Sequence, residues 1–79
     1  MSPREQLYQL MADLFAIDAS ELSPASSRES IDRWDSMGTI DLVAQLEKTF
    51  SVRFDLLEVD QLLTLEIVEK SLVEKGVQF

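Results

Sequence analysis

From Asp18 to Asp35 the chain loses its helical periodicity, and Ser23-Pro24-Ala25-Ser26-Ser27 in the middle gathers residues that form turns or break helices. In a chain of 79 residues a connection of that length is tolerable only if isolated apolar residues pin it down. Leu22, Ile31 and Trp34 are the available anchors. A short helical turn over Glu29 to Arg33 is the one regular element the stretch offers. What remains on either side is enough for one domain over 1-79 with a single core, and too little for a cleft between two folded halves. The apolar share of 46% separates the chain from an acidic disordered tail.

The flanking segments read as helices. Ser2-Pro3-Arg4-Glu5 has the form of a capping box with proline at the first helical position, so a helix is expected over about 3-16, with Leu7, Leu10, Met11, Leu14 and Phe15 on its apolar stripe. The most regular helix is expected over 36-50, with Asp35 or Ser36 capping its first amides. Leu42, Val43, Leu46 and Phe50 form its main apolar line. Met37, Ile40 and Ala44 lie round the helix from that line, either against the long loop or exposed. Ser51-Val52-Arg53-Phe54-Asp55 reads as an extended linker with Val52 and Phe54 turned inward. Asp55 caps a short helix over about 56-62, and Thr64 caps a last one over about 65-75, with Leu65, Val68 and Leu72 inward and Gly76 at the exit. The fold class is therefore all-α, a bundle of three main helices plus one short helix with the long loop between the first two. A monomer is expected, because one core absorbs most of the apolar residues.

Composition removes most chemistry. With no cysteine and no histidine there is no thiolate nucleophile, no serine-hydrolase base and no Cys- or His-based metal site. Asp32 with Asp35, and Glu66 with Glu69, are carboxylate pairs three apart, the spacing of a cap or a solvated helix face. Asp32 to Asp41 lacks the alternating oxygen ligands of a calcium loop, and Gly38 stands alone rather than in a phosphate-cradling loop. No metal and no catalysis by the isolated chain are expected. Residues 1-5 do not read as a signal peptide, and no apolar run approaches the ~20 residues of a membrane span, so a cytoplasmic location is expected. Fifteen acidic against seven basic side chains, a formal charge of −8, disfavour nucleic acid and favour partners with basic surfaces.

What chemistry there is gathers in Trp34-Asp35-Ser36-Met37-Gly38, where the loop meets the most regular helix. Read locally, Ser36 is a cap, Trp34 a loop anchor and Gly38 a point of close approach. The stretch from Asp35-Ser36-Met37-Gly38-Thr39-Ile40-Asp41-Leu42 through Glu47 to Phe50, with Leu63-Thr64-Leu65-Glu66 further on, resembles the acyl carrier proteins and their aminoacyl and peptidyl relatives. The resemblance extends to helix order and loop placement over nearly the whole chain.

That resemblance implies an acyl-carrier-like bundle in which Ser36 receives a 4'-phosphopantetheine arm from coenzyme A, added by a separate phosphopantetheinyl transferase. It implies that Asp35 contributes to capping and transferase recognition. Met37, Ile40, Asp41, Ala44 and Glu47 are the implied partner-recognition residues. Other partners would be an acyl- or aminoacyl-activating ligase and acyltransferases, synthases or tailoring enzymes. A long acyl cargo would be sheltered by Leu46, Val59, Leu62 and Val68. Lys48 and Arg53 make the recognition surface less uniformly negative than in fatty acid synthase carriers, and Met37-Gly38-Thr39 also looks like free-standing carriers of D-alanyl, aminoacyl or specialised groups. A different class of function is a cofactor-free helical docking module using Met37, Ile40 and Ala44.

Overall fold

The computed structural model describes residues 2–79 and is all-helical, with α1 at Pro3–Phe15, α2 at Ser36–Phe50, α3 at Leu56–Gln61 and α4 at Leu65–Glu74. The Ser2 hydroxyl accepts from the Glu5 amide at 3.2 Å and donates to the Glu5 carboxylate, which starts α1 with Pro3 at its first position. Leu7, Met11 and Phe15, spaced by four, are fully buried with Ala12, while Leu10 and Leu14 flank them half-buried. α1 stops at Phe15 because Ala16 turns left-handed, with φ 57°, and the Ile17 amide folds back to the Ala12 carbonyl at 3.0 Å.

The long loop is pinned by its three anchors. Leu22, Ile31 and Trp34 are all buried, and the Trp34 ring stacks on Phe15 with centroids 5.6 Å apart. Its helical turn lies earlier than expected, as a 3-10 turn at Ala19–Glu21 capped by Asp18. No helix forms over Glu29 to Arg33. Ser27 and Ser30 exchange side-chain-to-backbone bonds there, an alternative to the helical ladder. The loop also completes α4. The amides of Leu65 and Glu66, which no helical carbonyl can reach, donate to Ser26 and Pro24 carbonyls at 2.8 and 3.1 Å, and the Ile67 amide donates to the Thr64 hydroxyl. Among the described residues the one β-type pairing is the isolated bridge between Ser27 and Thr64.

α2 leads into a linker through left-handed Ser51, and Val52 and Phe54 are half-buried against the core. α3 carries a reciprocal capping box between Asp55 and Glu58. It ends at Gln61, because Leu62 leaves the helical region at ψ 72° and drops into the core. At the end of α4 the Gly76 amide returns to the Val73 carbonyl and the Val77 amide to the Leu72 carbonyl. This reversal requires the positive φ of 101° that Gly76 supplies. Leu42, Leu46, Leu62, Leu65, Val68 and Leu72 close the core against α1 and Trp34.

Phe50, on the expected apolar line of α2, is only half-buried, because it sits at the end of the helix beside the linker. One core takes most of the apolar residues, as expected, yet Met37, Ile40, Leu56, Leu57, Leu63 and Val73 are large, apolar and exposed. On α3 the adjacent Leu56 and Leu57 both stay exposed, and Val59 is half-buried.

Leu46→Ala should therefore cost ~2–5 kcal/mol in urea melts, and Phe50→Ala about 1–2 kcal/mol, less than half the value for a fully buried ring. The opposite order would show that the linker end of α2 carries the core. A second test concerns pH. The Lys75 ammonium bonded to Glu58, helped by the Asp55 amide, holds the Glu58 carboxyl below its ordinary value of 4.5. A carboxyl depressed on folding stabilises the fold above its unfolded pKa and loses that contribution as pH falls through its folded value. Wild type should thus lose more stability than Glu58→Gln as pH is lowered from 5 through the acid range; parallel melting curves would remove the Glu58 contribution.

Candidate functional site

The start of α2 is set by three residues acting together. The Asp35 carboxylate accepts from the Gly38 amide at 2.8 Å, and its carbonyl accepts from both the amide and the hydroxyl of Thr39, at 2.8 and 2.9 Å. This leaves buried Thr39 fully satisfied and occupies the Asp35 side chain with capping. Gly38 is buried against the Arg33 carbonyl, and a β-carbon there would fall well inside that oxygen's van der Waals radius. The glycine therefore lets the last turn of the loop lie across the first turn of α2.

Ser36 lies exposed at the first position of that helix. Its hydroxyl oxygen accepts from the Arg28 guanidinium at 3.1 Å. Among the described residues no carboxylate bonds to it, and the Ser36 and Met37 amides have no protein partner. Ser36, Thr39 and Ile40 on α2, Leu56, Val59 and Asp60 on α3, and Arg28 from the loop line a groove of about 310 Å³. Arg28 was not among the expected site residues. Its position depends on its amide bonding to the Leu63 carbonyl at 3.1 Å, a pairing across the chain that local sequence does not reveal.

The expected recognition residues divide. Met37 and Ile40 are 67% and 55% exposed, and Asp41 and Ala44 are exposed on the same helix. Glu47 is half-buried, and its carboxylate accepts from the Phe54 amide at 2.9 Å, so it secures the linker. Exposed Leu56 and Leu57 of α3, at 85% and 75%, extend the apolar surface, and Leu56 shares the groove with Ile40. Their exposure was not predicted, since leucine at mixed spacing gives no facing direction. Of the four residues expected to shelter an acyl chain, Leu46, Leu62 and Val68 are packed into the core, and Val59 alone lines the groove. The tight helical packing of those three leaves the groove on the surface, beside Ser36.

An exposed hydroxyl beside a guanidinium and open helical amides is a donor set suited to a phosphodiester at the serine oxygen. The sequence matches the family model of the phosphopantetheine attachment site over residues 5–70. The chain belongs to this family. Among curated proteins, none matches it. Family members bear 4'-phosphopantetheine bound covalently to a serine, and this chain is accordingly a phosphopantetheine-carrying carrier protein of the acyl carrier type. Carriers of this kind work with a phosphopantetheinyl transferase and with biosynthetic enzymes. Among the described residues no helix is long and apolar enough to cross a membrane, and no group of three or more acidic side chains is placed to hold a metal.

Replacing glycine by alanine inside a helix ordinarily stabilises it by ~0.5–1 kcal/mol. Gly38→Ala should instead destabilise by roughly 1–3 kcal/mol, because the Arg33 carbonyl must be displaced. Thermal melts of the two proteins check the sign.

Proposed function

We propose that Ser36 is the attachment residue and that the protein is a free-standing carrier, holding acyl or aminoacyl intermediates as thioesters for partner enzymes of lipid, polyketide, nonribosomal peptide or related biosynthesis. The observation that carries this reading is the exposed Ser36 hydroxyl at the head of α2, open to a second protein. In the modification, Ser36 Oγ forms a bond to the phosphorus of coenzyme A that bears the pantetheine, the pyrophosphate P–O bond breaks, and adenosine 3',5'-bisphosphate leaves. The hydroxyl proton goes to a base on the transferase, because the Asp35 carboxylate is engaged with Gly38 and the nearest bonded group, Arg28, is a donor.

The arm supplies a thiol to a chain that has no cysteine, and that thiol carries the cargo. Met37, Ile40, Asp41 and Ala44 form the face that partners meet, with Leu56 and Leu57 beside it and Asp35 contributing to transferase recognition. Glu47 contributes by holding the linker next to that face. Attraction between the acidic chain and a basic partner surface speeds encounter while leaving release fast, which suits a carrier that visits several active sites. The working location is the cytoplasm, where coenzyme A and the loading ligase meet the chain, and the working state is a monomer with its docking face free.

The exposed apolar side chains of α2 and α3 also suit a cofactor-free docking module. Incubation with coenzyme A, magnesium and a broad-specificity phosphopantetheinyl transferase separates the two readings. Intact mass should rise by one arm in wild type and not in Ser36→Ala. An unchanged wild-type mass, under conditions that modify a control carrier, would leave the docking module as the better reading.

A further inference from the structure

We propose that Arg28 holds the phosphodiester once Ser36 carries it, anchoring the root of the arm to the long loop. This rests on Ser36 being the attachment residue. The guanidinium already donates to the Ser36 oxygen that would join the phosphodiester, across a sequence separation of eight residues. One of its five N–H groups serves that hydroxyl, so others are free to meet anionic oxygens arriving at the same point. A guanidinium exchanging a neutral hydroxyl for a phosphodiester gains charge-assisted bonds roughly twice as strong as neutral ones.

Three features show that Arg28 is delivered to Ser36 rather than passing by it. Its amide is bonded to the Leu63 carbonyl, and the Ser26 carbonyl two residues earlier is bonded to the Leu65 amide, so the side chain projects from a backbone tied to the start of α4. Among the described residues the ion pairs are Arg4 with Glu69 and Lys75 with Glu58. Arg28 is in neither, although acidic side chains outnumber basic ones 15 to 7. Among the residues that line the groove with Ser36, Arg28 is the one cation.

The test is a cycle of apo and holo protein for wild type, Arg28→Gln and Arg28→Lys, each holo form verified by intact mass. At low ionic strength, modification should raise the melting temperature of wild type by about 1–5 °C more than that of Arg28→Gln. Arg28→Lys should keep part of the difference, and the difference should fade as salt approaches 1 M. The 31P resonance of the holo protein should move on Arg28→Gln, and the Arg28 side-chain N–H resonances should move when wild type is modified. Equal melting shifts in wild type and Arg28→Gln, with the 31P resonance unmoved, would overturn the proposal while the mass gain left the carrier reading intact. Should Arg28→Gln fail to fold, unmoved Arg28 N–H resonances on modification of wild type would overturn it alone. No mass gain in wild type would remove the attachment reading and this inference with it.

Discussion

The stack of Trp34 on Phe15 decides where the long loop hands the chain to α2, and the site depends on that position. A loop running from Ala16 to Asp35 carries a large ordering cost that its own hydrogen bonds repay poorly. Burying an indole against the last turn of α1 supplies the apolar contact that holds the segment down, one residue before the Asp35 cap. The loop then does a second task, as its Pro24 and Ser26 carbonyls accept from the first amides of α4. Three helices are thereby registered by one segment without regular structure: α1 through Trp34, α2 through Asp35 and Gly38, and α4 through the backbone. Ser36 stands on the most constrained turn of the molecule while its hydroxyl stays open to solvent.

Much of this was legible in the sequence because it is local. Ser2, Asp35, Asp55 and Thr64 cap the helices expected of them, since a short polar side chain two or three residues ahead of an apolar run has few other ways to satisfy the orphan amides. The loop anchors could be named by elimination, as the only large apolar residues in a polar stretch. Arg28 could not be. Nothing in Ser27-Arg28-Glu29-Ser30 distinguishes it from a solvated charge until the bridge between Ser27 and Thr64 brings that turn beside α2 and α3. Glu47 failed as a surface acid for the same reason, its partner being an amide seven residues away across a left-handed turn. The half-burial of Phe50 and the exposure of Leu56 and Leu57 escape the sequence for another reason. Periodicity gives the direction of a face within a helix, and not whether a neighbour exists to cover it.

Four of the six large exposed apolar residues lie on α2 and α3, the helices that line a groove with Ser36, while Leu63 and Val73 lie elsewhere. Ile40 and Leu56 line one groove with Ser36, Met37 lies one position beyond the serine, and Leu57 follows Leu56. Single exposed apolar residues need no explanation, but a group of them beside the Ser36 hydroxyl is contact area available to another protein. The surrounding charge acts over a longer range. An excess of eight negative charges favours approach to basic surfaces over acidic ones.

The packing of the core bears on what such a carrier transports. Sheltering a long acyl chain would return ~0.8 kcal/mol for each buried methylene. It would also require moving Leu46, Leu62 and Val68, three fully buried side chains in the core of a small domain. The surface groove demands no such opening. Its lining of Arg28, Asp60, Ile40, Leu56 and Val59 beside Ser36 offers a cation, an anion and a short apolar surface. Cargo held outside the core leaves Leu46, Leu62 and Val68 packed as they are.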